Sequence, residues 1–433
     1  MLSTKDIDRK IEIAHNAFTE WKNQSYQDRQ KLLSKAAKIL KENADKYGKI
    51  ITKEMNKPIA QSIAEVEKCA LMMDFYANAE NVLKPEKVKI NYNISEIHYT
   101  PMGVILGVMP WNYPFWQALR FAVPAILAGN TVVLKHASIC FGSGNEIEKI
   151  LLEAGFPEGV FQNLEIGHEA VEHILENIYV QGVSLTGSEP AGASVASIAA
   201  KNIKKSVLEL GGSDAFIVLE DADLEDAAKV GALARLQNGG QTCIAAKRFI
   251  IHEKAEKDFL PKFIEEYKKY IPDDPMKKET KIAGMAREDL ADDLEKQYDF
   301  ALKNGAEVIL PLKRISAIEF QPGIIKVNPG NPILNEELFG PLAMVLIGKN
   351  DEDCLKIANS TKFGLGNSLW TKNTEKALLL ADRLESGAVA INQMLSSMPE
   401  MPFGGAKHSG YGTELSLMTL HEFTIPKSIV GNF

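Results

Sequence analysis

Two open, mostly parallel α/β domains are the fold that this chain predicts, and three observations predict it. From residue 104 onward, short apolar runs of strand type alternate with helical segments, the pattern of a parallel sheet with helical crossovers. The same alternation starts again after about residue 245. The length of 433 residues exceeds what one ordinary core organises. At 45% hydrophobic and 24% charged residues, the composition is that of a soluble globular protein, which excludes a disordered chain, a collagen-like chain and a disulfide scaffold.

The elements follow in order. Ile7, Ile11, Ala14, Phe18 and Trp21 recur at helical spacing, with Ser3 or Thr4 as the cap and Asp6 in the first turn. A second helical pattern runs from Asp28 to Met55 and stops at Asn56-Lys57-Pro58; a third runs from Ile59 to Leu83. Lys87–Tyr99 alternates apolar and polar residues, which predicts an exposed antiparallel strand pair. Buried strands are then expected at Val104–Met109, Thr131–Leu134, Val180–Leu185, Phe216–Leu219 and Arg248–His252. Helices are expected at Gly142–Ala154, Leu224–Leu236, Phe259–Ile271 and Arg287–Asn304, with a seam between the domains near residues 210–245.

The net charge is -8, from 49 basic and 57 acidic residues, and no basic tract stands out, so nucleic acid is not an expected partner. Cys69, Cys140, Cys243 and Cys354 form no CxxC pair, which suggests a reducing compartment. The first residues hold no apolar signal core, and the longest apolar stretches are too short to cross a bilayer. A cytoplasmic protein with no membrane partner is expected. The eight histidines are scattered without metal-ligand spacing, so no metal site is expected.

Six segments carry candidate chemistry. In Gln237-Asn238-Gly239-Gly240-Gln241-Thr242-Cys243 a thiol follows a glycine pair that permits close backbone approach, a candidate nucleophile. By itself the pattern also fits a buried cysteine in a glycine turn, the commoner role. In Leu208-Glu209-Leu210-Gly211-Gly212 a carboxylate sits in an apolar run, where burial would raise its pKa toward that of a general base; a surface glutamate at a strand end is the bland alternative. Thr186-Gly187-Ser188 ends a strand before a helix, whose first amides can hold a pyrophosphate, although GxGxxG is absent. In Pro110-Trp111-Asn112-Tyr113-Pro114 two prolines fix an amide able to donate to an oxyanion, or simply make a rigid loop. Lys135 leaves an apolar strand within reach of a ribose or phosphate, or of solvent. In Asn335-Glu336-Glu337-Leu338-Phe339-Gly340-Pro341, Glu337 and Phe339 share one face of an extended segment. Three methionines in 394–401 read as loop packing.

Taken together and in their order along the chain, from Pro110-Trp111-Asn112 to Pro402-Phe403-Gly404-Gly405, these motifs closely resemble the aldehyde dehydrogenase superfamily over essentially the whole chain. The resemblance implies Cys243 as nucleophile, Asn112 and the Cys243 amide as oxyanion hole, and Glu209 as the base that activates water. It implies a cofactor site of Pro110, Trp111, Lys135, Ser138, Gly187, Ser188, Leu210, Glu337 and Phe339. The implied domains are a dinucleotide-binding domain (1–86, 105–210 and 402–417), a catalytic domain (211–401) and a small β arm for oligomerisation (87–104 and 418–433), with a homodimer or homotetramer expected. Retention of Glu209 favours hydrolysis over transfer to coenzyme A.

Leu134-Lys135-His136-Ala137, Leu208–Asp214 and Ala246–Ile251 are similar to the short succinate-semialdehyde dehydrogenases. That likeness implies a small aldehyde with a distal carboxylate, held by Arg120, with Trp116, Gln237, Ser396 and Ser397 around it. Lactaldehyde, glyceraldehyde and glutarate semialdehyde are the alternative substrates, and a non-catalytic protein on the same fold is the alternative class. Ser138 stands where NAD-specific relatives tend to carry a glutamate that would repel a 2′-phosphate, and His136 is offered as an added donor. NADP is therefore the expected cofactor, with NAD as the alternative.

Overall fold

The computed structural model describes all 433 residues. Four helices open the chain: α1 (Thr4–Trp21), α2 (Tyr26–Glu42), α3 (Ala44–Met55) and α4 (Ile59–Asn78). Strands β1 (Glu86–Lys87) and β2 (Ile94–Pro101) follow. The first alternating unit is β3 (Val104–Met109), α5 (Pro114–Leu127), β4 (Thr131–His136), α6 (Phe141–Ala154), β5 (Phe161–Leu164), α7 (Val171–Glu176), β6 (Val180–Thr186), α8 (Glu189–Lys201) and β7 (Lys205–Glu209). The second begins with β8 (Asp214–Val218), α9 (Leu224–Leu236), β9 (Ala246–His252), α10 (Glu253–Lys268) and α11 (Glu288–Lys303). It continues with β10 (Glu307–Leu310), β11 (Lys313–Arg314), β12 (Phe320–Gln321), β13 (Gly323–Lys326), β14 (Leu342–Gly348), α12 (Asp351–Asn359), β15 (Phe363–Gly364), β16 (Gly366–Trp370), α13 (Thr374–Asp382) and β17 (Ala388–Ile391). Strands β18 (Ala406–Lys407), β19 (Gly410–Tyr411) and β20 (Thr424–Gly431) close the chain.

Two large sheets form. The first has the order β19-β7-β6-β3-β4-β5 and is parallel except for β19. The second has the order β10-β13-β14-β9-β8-β16-β17 and is parallel except for β10. In the first sheet the chain order reverses between β3 and β6, so the connections that leave these neighbouring strands part in opposite directions. A crevice opens there at the carboxyl ends of the strands, the usual ligand site of a doubly wound sheet. Pro110 follows β3 and Gly187 follows β6 at that crevice. Only Leu210–Ser213 separate the two sheets along the chain, so the covalent crossing is narrower than the 210–245 seam read from the sequence. The later part of that range folds back, and Cys243 and Ile244 pack on the core of the first sheet.

Local signals account for most boundaries, and for three departures. Ser3 caps α1 with its hydroxyl accepting from the Asp6 amide, and Asn56 ends α3 in the left-handed conformation (φ 60°) before Pro58. The single helix expected over 28–55 is two helices. Asn43 leaves helical geometry (φ -120°, ψ 21°) while its side chain donates back to the Ile39 carbonyl. The third helix stops at Asn78, earlier than Leu83, because Gln30 reaches across from α2 and donates to the terminal carbonyls of Tyr76 and Ala79. The alternation at Lys87–Tyr99 becomes a long strand only from Ile94; Val88, Ile90 and Tyr92 lie exposed in the connection. β2 pairs along its whole length with β20, from Ile94 opposite Gly431 to Pro101 opposite Thr424.

Candidate active site

The loop that carries Cys243 leaves α9 through three consecutive residues in the left-handed region, Asn238 (φ 54°), Gly239 (φ 64°) and Gly240 (φ 75°). A side chain at Gly240 would collide with the Gly340 carbonyl, so this loop and the 336–341 segment touch backbone to backbone. Two buried cations tie them together. Arg235 on α9 donates from Nε to the Leu342 carbonyl and from Nη2 to the Leu338 carbonyl, both at 2.9 Å, and also reaches Gly340. Lys247 on β9 donates to the Thr242 carbonyl at 2.9 Å and to the Cys243 carbonyl, and faces Glu337 Oε1 at 3.2 Å. Neither residue was identified from the sequence as part of the site.

Asn112 is 4% exposed, and its Nδ2 donates to the Gln241 carbonyl at 3.0 Å. An amide carries two N–H groups, so one remains for another acceptor. The backbone carbonyl of Asn112 accepts from Asn238 Nδ2 at 3.0 Å, locking the two loops in register. Beneath them, the buried Glu65 of α4 accepts from the amides of Phe115 and Trp116 at 2.9 and 3.0 Å and pairs with Lys57. A carboxylate at these first amides of α5 fixes the start of that helix, and with it the Asn112 turn. Burial pushes the Cys243 thiol up to about 12, while the charges of Arg120 and Lys247 pull the other way.

Glu209 ends β7 at 2% exposure, and neither carboxyl oxygen has a hydrogen-bond partner. Burial, with the nearby Glu414, raises its pKa to about 8; Arg120 opposes the rise. The bland alternative of a surface glutamate is excluded. Arg120 of α5 is 2% exposed and forms an ion pair with Glu414 through Nε.

A cavity of about 390 Å³ has Cys243 in its lining. Trp116, Arg120, Gln237, Ser396 and Ser397 all line it, as does Met394, whose stretch reads from sequence as loop packing alone. Lys68 also lines it, a residue that sequence reasoning missed. Its position on α4, three residues after Glu65, is the signal that could have found it, because both then share one helix face.

On the other side lies the crevice of the first sheet. Ser188 is exposed at the N-cap of α8 with no bond from its hydroxyl to the helix, and Thr186 Oγ1 is buried without a partner. Gly187 donates its amide to the Glu209 carbonyl at 3.0 Å, and Leu210 donates to the Ser409 carbonyl at 2.9 Å. Lys135 is half-buried at the end of β4, where burial lowers its pKa. Ser138 is exposed at the start of a single 3-10 turn. The Trp111 ring, beside Pro110, meets Phe339 edge-on at 5.8 Å. Glu337 Oε1 accepts from the Gly212 amide at 3.1 Å. One expectation fails: His136 is fully buried, its Nε2 at 2.9 Å from the Pro114 carbonyl and its Nδ1 accepting from the Ala137 amide. Burial lowers its pKa to about 4, so it is a neutral structural residue and offers no donor to a phosphate.

The model of the family described as "Aldehyde dehydrogenase family" matches residues 1–429. The chain belongs to the aldehyde dehydrogenase family. This aldehyde dehydrogenase is 43% identical over 435 residues to a probable NADP-dependent succinate-semialdehyde dehydrogenase of Synechocystis, covering 99% of this chain and 95% of that relative. It is 37% identical to the NADP-dependent succinate-semialdehyde dehydrogenase of Deinococcus radiodurans, covering 99% and 91%. Among solved structures it resembles the succinic semialdehyde dehydrogenase of Streptococcus pyogenes in complex with NADP+, with a TM-score of 0.96, 37% identity and coverage of 100% and 96%.

Proposed function

We propose that this aldehyde dehydrogenase oxidises succinate semialdehyde to succinate with NADP, by way of a thioester on Cys243. The observation that carries the substrate is the cavity itself, which joins a thiol to a wall bearing the cations Arg120 and Lys68. The names of the relatives at 43% and 37% identity support the same substrate and cofactor.

The cofactor crevice suits a dinucleotide. The free hydroxyls of Thr186 and Ser188 and the amides that open α8 suit a pyrophosphate. Lys135 suits a ribose, and exposed Ser138 presents no charge against a 2′-phosphate. Glu337 suits the ribose next to the nicotinamide, with Trp111 and Phe339 beside it. A bound nicotinamide supplies the acceptor for the aldehyde hydride.

The residues of the chain do the rest. Cys243 is a thiol in the free protein, so its proton passes to solvent water in the cavity as Sγ bonds to the aldehyde carbon. The spare N–H of Asn112 donates to the oxygen as it gains charge. After loss of hydride the carbon is a thioester. Glu209 takes a proton from water, hydroxide adds to the carbonyl, and the Cys243 sulfur leaves as the acid forms. For assembly, the open edge of β20 supports a homodimer or homotetramer. No helix is long and apolar enough to cross a membrane, in keeping with work in the cytoplasm.

The test compares succinate semialdehyde with butanal, each with NADP and with NAD. A charge-assisted carboxylate contact is worth about 1.5–3 kcal/mol, so kcat/KM should favour the acid by roughly tenfold to a hundredfold. Equal values for the two aldehydes would remove the substrate assignment.

A further inference from the structure

Charge pairing inside the cavity is uneven. Arg120 faces Glu414, and Glu65 is held by Lys57 and by the first amides of α5. Lys68 alone has no carboxylate within ion-pairing distance. Its Nζ donates to Ser397 Oγ at 2.9 Å and lies 4.1 Å over the Trp116 ring. An ammonium has three N–H donors, so two stay without an acceptor. Withdrawing an unpaired cation from water is costly, and such a group at a cavity wall marks an anion site.

The placement follows from helix periodicity. On α4, Glu65 and Lys68 are three residues apart and share a face; on α5, Trp116 and Arg120 are four apart and share another. The two faces meet at the cavity. Ser397 closes the third side and has a hydroxyl proton free to donate, since its oxygen receives the Lys68 proton.

We infer that Lys68, together with Ser397, is the residue pair that binds the distal carboxylate and sets substrate choice. Arg120, paired with Glu414 through Nε but with a buried Nη2 that has no partner, stands beside Lys68 in the same wall. The inference rests on the reading of the site as one for an acidic aldehyde, and it names the anchor within it.

Burial and the repulsion of Arg120 lower the Lys68 pKa to about 8. The titratable and charged groups around it are Glu65 and Cys69 of its own helix, Arg120 of α5 and Cys243 of the loop opposite. Lys68 is therefore charged below about pH 8 and loses its charge above it, so binding of an acidic aldehyde weakens in that direction.

The experiment uses Lys68→Met, which keeps the aliphatic stem and removes the charge, and Lys68→Arg, which keeps the charge. In Lys68→Met, KM for succinate semialdehyde should rise on the order of tenfold or more, and the ratio of kcat/KM for succinate semialdehyde to that for butanal should fall by a similar factor. Lys68→Arg should restore most of the loss and abolish the rise of KM above pH 8 expected of the wild type. Equal losses on both aldehydes, or no loss on either, would overturn the inference. Succinate, as an inhibitor of butanal oxidation, separates the two readings. A weaker succinate inhibition in Lys68→Met supports the anchor even if the wild type shows no preference for the semialdehyde. A preference that survives Lys68→Met overturns the anchor and leaves the substrate reading standing.

Discussion

Glu209 shows what burial does to one residue. Its carboxyl is raised from 4.5 to about 8, first by loss of water and then by Glu414. Below about pH 8 it is protonated and cannot accept a proton, so thioester hydrolysis should accelerate as pH rises through 8. Glu209→Gln should release about one equivalent of NADPH and then turn over slowly, without that pH dependence; stopped-flow absorbance measures both phases. Linkage gives the sign for stability. The folded state holds this proton more tightly than the unfolded state, so between pH 4.5 and 8 the wild type loses stability as pH rises. Glu209→Gln, which cannot ionise, should therefore gain in Tm over the wild type across that window. A second prediction concerns Ser138. Ser138→Glu places a carboxylate where the 2′-phosphate would approach, and the ratio of NADP to NAD activity should fall on the order of tenfold. An unchanged ratio would remove Ser138 from cofactor choice. Cys243 and Glu209 were singled out only by the joint order of the motifs, since each pattern alone also fits a structural role; the burial of Glu209 is what the structure adds. Lys68, Arg235 and Lys247 were not legible, because the partner of a buried cation is set by tertiary approach and leaves no mark in nearby sequence.

At the scale of elements, the nucleophile loop depends on two glycines that are not equivalent. Both lie in the left-handed region, but a side chain at Gly239 would make only ordinary contacts, with the Gln241 amide at 3.4 Å and the Ala283 carbonyl at 3.8 Å, whereas one at Gly240 would strike the Gly340 backbone. Gly239→Ala should cost roughly 1–2 kcal/mol, the penalty for a left-handed residue. Gly240→Ala should cost roughly 1–3 kcal/mol more, because the 336–341 segment must move. Moving that segment also displaces Glu337, so kcat should fall more steeply in Gly240→Ala. Thermal melts and steady-state rates check both, and equal effects would show that the contact with Gly340 is not tight. The glycine pair was visible in the sequence; which glycine matters more was not, because the colliding atom belongs to a residue a hundred positions away. The same holds for the break at Asn43. The apolar period runs unbroken through α2 and α3, and only the side-chain bond back to Ile39 shows where the helix ends.

For the whole molecule, alternation of strands and helices made two parallel sheets legible, but strand order was not. Which strands become neighbours is decided by crossover handedness and helix packing over hundreds of residues, and the reversal between β3 and β6 that opens the crevice has no local signature. The small sheet is a different case, because its outer strand is exposed in a way that asks for a partner. β20 is the edge of the β1-β2-β20 sheet, and Ile425 and Ile429 are 50% and 38% exposed along it. A long apolar edge is a template for pairing with another chain, and lysine on such an edge blocks it. Ile425→Lys with Ile429→Lys should therefore shift the protein to a smaller assembly in light scattering, at equal concentration. The pairing of β2 with β20 inside one chain, from Ile94 to Pro101, should survive, because it rests on backbone bonds that these side chains do not make. An unchanged mass would mean that β20 is not the assembly edge. A loss of folded signal in circular dichroism would mean that the two isoleucines hold the small sheet itself together.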